Sequence, residues 1–219
     1  MTGEIFLELF SGTKTMSNTA KEFGFEVFNI DIDESLSPSL CADILTLSAE
    51  DIIEHCGGRP HTVWASPDCT KWSYANGSGC EFTQARRHEP LSPDALHAIE
   101  LIDHTLALIA DLRPKYWFME NPFHGALKEQ IVVANYPFVD VYYCAYEWPY
   151  QKRTRIWGAF PPKWNARTVC THTKHDNIKG YGNARKRAEI PVLLSREICA
   201  SLIIASIGGN PQRPTLEDY

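Results

Sequence analysis

The stretch IFLELFSGTKTMSNTAKEFGFEVFNID, residues 5–31, decides the fold. An apolar run over 4–9 reads as a short strand, and Ser11-Gly12-Thr13 turns the chain. Residues 13–23 carry Met16, Ala20 and Phe23 on one helical face, and Gly24 stops that helix. A second strand over 26–30 ends in Asp31-Ile32-Asp33. Strand, glycine turn, helix and a second strand ending in an acid form the first half of a dinucleotide-type βαβ unit. Backbone N–H groups at the turn suit an anion, and the acid suits a ribose diol.

A single glycine is a weak phosphate-loop signal, because the dinucleotide fingerprint needs three. A nucleoside that carries a carboxylate instead of a pyrophosphate asks for less close backbone approach, and this points to S-adenosylmethionine. Asp43 with Ile44, in a third short strand or turn, is placed to meet an adenine amine. Further on, Ser48 caps a helix reaching Cys56, with Asp51 at the capping-box position and Gly57-Gly58 at its end. The apolar run 61–64 reads as a buried strand leading into Ala65-Ser66-Pro67-Asp68-Cys69-Thr70-Lys71-Trp72-Ser73. The glycines at 77 and 79 then mark a loop that also holds Cys80.

The longest helix opens at Ser92-Pro93-Asp94 and runs to about Leu112, with Leu96, Ile99, Leu106 and Ile109 as its apolar stripe. A buried strand over 116–119 ends in Glu120-Asn121-Pro122. Another helix is expected over 125–135, and strands over 138–143 and 155–157. Ser195 is expected to cap a last helix over 196–207. Alternation from polar loops to apolar runs gives an α/β architecture: a doubly wound, mostly parallel sheet. Residues 1–158 form the catalytic body and 159–191 a small loop-rich basic lobe. Residues 192–209 form a closing helix, and 210–219 a polar tail.

An apolar fraction of 44% over 219 residues supports one core. No run of 18 apolar residues is present, so no membrane span is expected. Seven cysteines without a CxxC pair suggest a reducing compartment, and a cytoplasmic protein is expected, in a host cell if phage-encoded. The net charge of −6 hides a segregation. Residues 151–187 hold ten basic side chains against one acid, Asp176, so this segment carries +9 and the remainder −15. Such asymmetry is the footprint of a polyanion-binding face. Lys152, Lys163, Arg167, Lys179, Arg185, Lys186 and Arg187 are its candidate contacts, with Gln151, Lys71 and Ser73 nearer the chemistry.

Cys69 follows one strand and Glu120 another, and open α/β sheets direct such strand ends at one crevice. A cysteine thiolate is soft and easily formed, and adds well to C6 of a pyrimidine. The addition needs charge removed from the ring, and a protonated carboxyl at N3 supplies it. On a strand at 151–155, Gln151, Arg153 and Arg155 share a face, where guanidinium groups hold a phosphate or a pyrimidine O2. Cys170-x-His172-x2-His175, with Asp176 next, offers three metal-ligand side chains. Its spacing matches no common zinc site and no fourth ligand is evident, so no metal is expected.

Together these residues resemble the DNA cytosine-C5 methyltransferase family, especially its short phage-type members. Residues 7–12 match its methyl-donor motif, Asp31 and Asp43-Ile44 its ribose and adenine contacts, and 66–73 its nucleophile loop. Glu120-Asn121-Pro122 matches its Glu-Asn-Val motif, and Gln151 to Arg155 its Gln-x-Arg-x-Arg motif, all in order over roughly residues 4–158. The resemblance implies a class I methyltransferase fold and S-adenosylmethionine held by Phe10, Ser11, Gly12, Thr13, Asp31, Ile32, Asp43, Ile44, Ser66 and Pro67. It implies a flipped-out DNA cytosine as acceptor, Cys69 as nucleophile, Glu120 as N3 proton donor, and Arg153 and Arg155 on the flipped nucleotide. Lys14 stands where a second glycine is usual, and Asp68 where proline is usual; an adjacent carboxylate raises a thiol's pKa. With only about 35 residues between the arginine motif and the closing helix, short or relaxed sequence recognition by a monomer is expected. An RNA or nucleotide methyltransferase, and a non-catalytic nucleic-acid-binding protein that keeps the donor pocket, remain the alternatives.

Overall fold

The computed structural model describes residues 2–73, 82, 89–176 and 184–208. Seven strands form one sheet in the order β3-β2-β1-β4-β5-β7-β6. They are β1 (Ile5–Leu9), β2 (Glu26–Asp31), β3 (Leu40–Cys41), β4 (Thr62–Ala65), β5 (Tyr116–Pro122), β6 (Phe138–Tyr142) and β7 (Arg153–Ala159). β1 to β5 pair in parallel, and β7 lies antiparallel between β5 and β6. This is the mostly parallel, doubly wound sheet of the class I S-adenosylmethionine-dependent methyltransferases. The chain order reverses between β1 and β4, and ligands bind such sheets at that switch point, outside the carboxyl ends of the strands.

Two apolar layers sandwich the sheet. On one side α2 (Ala49–Cys56) and α3 (Pro93–Leu112) bury Ile52, Ile102, Leu106 and Ile109 against Leu7, Val63 and Met119. On the other, α1 (Thr15–Glu22) and α5 (Val192–Ile207) bury Met16, Ala20, Leu194 and Ile198 against Phe6, Trp64 and Phe118. A short helix, α4 (Ala184–Ala188), precedes α5. By length and composition Lys186–Ile207 would suit a membrane span, but half of it is buried in the protein, with Leu194, Ile198, Cys199 and Leu202 in the core.

Local signals decide most boundaries. Ser48 and Asp51 form a reciprocal capping box, and Ser92 accepts from the Ala95 N–H ahead of Pro93. Gly158 is demanded by close approach: a Cβ there would lie 2.0 Å from the Trp117 carbonyl oxygen. Three expectations fail. The helix expected over 125–135 is two short 3-10 turns, Leu127–Glu129 and Ile131–Val133, with Leu127, Gln130 and Val133 buried at the spacing of three that such turns present. Ser195 is not a cap: α5 starts three residues earlier after Pro191, and the buried Ser195 hydroxyl donates to the Pro191 carbonyl within the helix. Leu96 is 57% exposed, and Ile102 takes its place in the α3 stripe.

Candidate active site

The central strands end together. β4 and β5 are hydrogen-bonded neighbours with Ala65 opposite Met119, so the segments carrying Cys69 and Glu120 leave the sheet side by side. Asn121 Nδ2 donates to the Pro67 carbonyl at 3.1 Å, a buried bond between the two segments. Beyond Pro67 the chain turns tightly: the Trp72 and Ser73 N–H groups both donate to the Cys69 carbonyl. Ser73 then bridges to Gly125, and Trp72 stacks on Phe82 with ring centroids 4.4 Å apart. Cys80 and the glycines of this loop lie outside the described residues.

Glu120 is 5% exposed. The buried Tyr143 hydroxyl donates to its Oε1 at 2.9 Å, and the Lys152 ammonium lies 3.6 Å from the same oxygen. Burial pushes the Cys69 thiol up to about 11; the Lys152 ammonium pulls it down, while Glu120 and Asp68 push it further up. Cys69, Glu120 and Lys152 thus form one electrostatic group at the mouth of the sheet. The Asp68 carboxylate accepts from the Thr70 N–H at 3.1 Å and from the Thr70 hydroxyl.

Arg153 and Arg155 share a strand face, as alternation requires, whereas Gln151 lies before β7 and is not on that strand; both arginines grip Asp140 of β6. Arg153 Nη2 donates at 2.8 Å, and Arg155 donates through Nε at 2.7 Å and Nη2 at 3.0 Å. The arginines hold the Asp140 carboxyl below the ordinary aspartate range, against its partial burial. Their guanidinium planes lie over Phe123 and Phe138, each 3.6 Å from a ring centroid. Ile156 pairs with Glu120, so the arginines leave β7 on the face opposite Glu120, and Lys152 is the cation that reaches it.

The donor-side residues converge at the ends of β1 and β2. Asp31 accepts from the Gly12 N–H at 2.8 Å and from the Asp33 N–H at 2.9 Å. The Ser11 hydroxyl is buried with no hydrogen-bond partner among the described residues. Ile32 beside Asp31 is 69% exposed, an apolar side chain open to solvent just past the end of β2. Phe10, Gly12 and Lys14 all have positive φ, so Lys14 takes the left-handed conformation a glycine adopts freely and preserves the path of the turn. Thr13 meets Thr15 through its hydroxyl. Asp43 caps the turn Ile44–Thr46 by accepting from the Leu45 N–H, and Ser66 accepts from the Trp64 indole. An orphaned hydroxyl, free faces of a carboxylate and an exposed isoleucine fit a nucleoside with an amino-acid tail.

No protein-family model matches the chain. It is 33% identical over 184 residues to a probable DNA (cytosine-5)-methyltransferase of Frog virus 3, covering 80% of this chain and 81% of that one. The chain belongs to the DNA (cytosine-5)-methyltransferase family. Its fold is similar to that of the Entamoeba histolytica methyltransferase EhMeth, at a TM-score of 0.52 and 15% identity over 82% of this chain and 60% of that one. The S. pombe Dnmt2 methyltransferase is also similar, at a TM-score of 0.42 and 20% identity over 71% of this chain and 48% of that one. The chain therefore spans only about half of the lengths of these solved relatives.

Within that family frame, the sequence missed Tyr143, Asp140 and the placement of Lys152, since each depends on strand register. Glu8 also escaped notice, although it is the buried acid of β1. Among the polyanion candidates, Lys163 is exposed, while Arg167 donates to the Ala145 carbonyl and pairs with Glu197. Lys71 pairs with Asp94 at 2.6 Å. Lys152 and Tyr150 both donate to the Arg187 carbonyl, which fixes α4 beside the site. Lys179 and the side chain of Arg185 lie outside the described residues.

Proposed function

We propose that this chain methylates C5 of cytosine in DNA through a covalent Cys69 adduct. The observation that carries this reading is the pairing of the Cys69 and Glu120 segments on adjacent parallel strands, stitched by Asn121 and Pro67 and sharing Lys152. Cys69, its thiol proton first lost to solvent, bonds through Sγ to C6 of a flipped cytosine as Glu120 delivers a proton to N3. The electron pair displaced from the C5–C6 double bond makes C5 the nucleophile. S-adenosylmethionine supplies the methyl group as a sulfonium-borne electrophile. Loss of the C5 proton to solvent then expels the Cys69 thiolate, and N3 returns its proton to the Glu120 carboxylate as the ring is restored.

Tyr143 and Lys152 position the Glu120 carboxyl, and Lys152 stabilises the thiolate. Phe10, the Ser11 hydroxyl, the Gly12 and Thr13 turn, Asp31, Ile32, Asp43, Ile44, Ser66 and Pro67 would hold the donor. Arg153 and Arg155, preset by Asp140, would hold the target nucleotide. Lys163, Lys186 and Arg187 would meet phosphates, which position the protein without reading sequence.

The test is tritiated-methyl transfer to duplex DNA, RNA and dCMP, with Cys69→Ala as control and 5-fluorocytosine DNA as a trap. Labelling of DNA, its loss in the alanine variant and a covalent trapped complex are expected. Labelling of RNA or dCMP alone would replace the acceptor, and labelling of none would leave a nucleic-acid-binding protein.

A further inference from the structure

The His172 and His175 motif gains a fourth member in three dimensions. The short helix Tyr143–Tyr146 brings Cys144 to the Cys170 loop, with the two sulfurs 3.3 Å apart and both thiols free. Cys170 Sγ lies 3.1 Å from His175 Nε2 and 3.9 Å from His172 Nδ1, and all four ligand atoms fall within 4.8 Å of one another. Zinc ligands at about 2.3 Å for sulfur and about 2.0 Å for nitrogen stand roughly 3.3–3.8 Å apart at tetrahedral angles, which the observed separations bracket. An open depression of about 490 Å³ reaches Cys144 and His172 between Glu147 and Arg167, so a hydrated cation has a way in.

We propose that Cys144, Cys170, His172 and His175 bind a structural zinc ion. Two thiolates and two imidazoles in tetrahedral reach select zinc over harder cations, and four protein ligands leave no open position for catalysis. The segment it would hold has no helix or strand from residue 160 to 176. Phe160, Trp164 and Ala166 pack its first part against the core, whereas residues 168–176 are mostly exposed and tied to the body by few bonds. Arg167 N–H donates to Tyr146 Oη, Tyr142 N–H to the Arg167 carbonyl, and Asp176 N–H to the Pro149 carbonyl. A metal joining residue 144 to residues 170–175 closes this loop where packing does not. Cys144 also follows Tyr143, whose hydroxyl holds Glu120, so the same ion fixes the basic segment and braces the acid.

Metal analysis of reduced protein purified without chelators should find about one zinc per chain. Release by a thiol-modifying reagent should be seen with a colorimetric zinc indicator. Cobalt replacement should give tetrahedral d–d bands with thiolate-to-metal charge transfer. Cys170→Ser and His175→Ala should lose the ion and become easier to cleave between residues 160 and 176. Absence of stoichiometric metal, a Cys144–Cys170 disulfide in its place, or retention of the metal by both variants would overturn the proposal. None of these readouts depends on methyl transfer.

Discussion

Asp68 stands next to Cys69, and its carboxylate is one of two acids that push the Cys69 thiol up, burial being the larger cause. With a value of about 11, Cys69 is a neutral thiol at pH 7, so its attack should speed up as pH rises toward that value. Asp68→Asn should move the pH midpoint of Cys69 alkylation down, and Lys152→Ala should move it up. Mass-resolved iodoacetamide rates across pH measure both, and an unmoved midpoint in both variants would refute the electrostatic account. Cys69 and Glu120 could be singled out in the sequence, because a cysteine and a glutamate at strand ends are chemically distinctive, and their segments do leave neighbouring strands. Tyr143 and Asp140 could not, because nothing in a tyrosine or aspartate on a strand says which face or neighbour it meets. Cys144 was hidden for the same reason: 26 residues of chain separate it from Cys170.

At the scale of the elements, β1 and α1 are joined by a buried acid. Lys14 at the start of α1 makes no side-chain cap; instead Glu8 on β1 accepts from the Ser17 N–H at 2.8 Å. Burial raises the Glu8 carboxyl from 4.5 to about 7, against the opposing bonds from Ser17. The folded state therefore holds this proton more tightly than the unfolded chain. The stability linked to it is full below about pH 4.5 and is lost as pH rises through about 7. At 1.36 kcal/mol per unit, the loss approaches about 3 kcal/mol. Glu8→Gln, which can still accept from Ser17, should flatten the fall in urea-unfolding free energy between pH 5 and 8. An equal fall in both proteins would show that Glu8 is not the group. Helices with caps or long apolar stripes were readable in the sequence. The two 3-10 turns after β5 and the early start of α5 were not, because tertiary packing decides both.

Across the molecule, the segregated charge is partly neutralised from within. Asp140 takes up Arg153 and Arg155, and Glu197 takes up Arg167, so fewer than ten cations of the basic segment face outward. Lys163 and Lys174 are exposed. Replacing both with alanine should weaken DNA binding about equally for all sequences and reduce the slope of log affinity against log salt by roughly 2. A drop confined to one sequence, or an unchanged slope, would show that these lysines do not meet phosphates. The overall sheet was legible because the first βαβ unit and the strand-end motifs fix it. Closure of the molecule was less so: α5 returns to α1, where Arg196 meets Glu22 at 2.6 Å and Ser206 donates to Glu4.

The side-chain amide of Asn121 ties the segment carrying Cys69 to the strand carrying Glu120. Any shift of the backbone at Pro67 is therefore felt at Asn121, the residue next to Glu120. Under the proposed chemistry, the side chains that would meet C6 and N3 are thus set at one spacing before a base arrives.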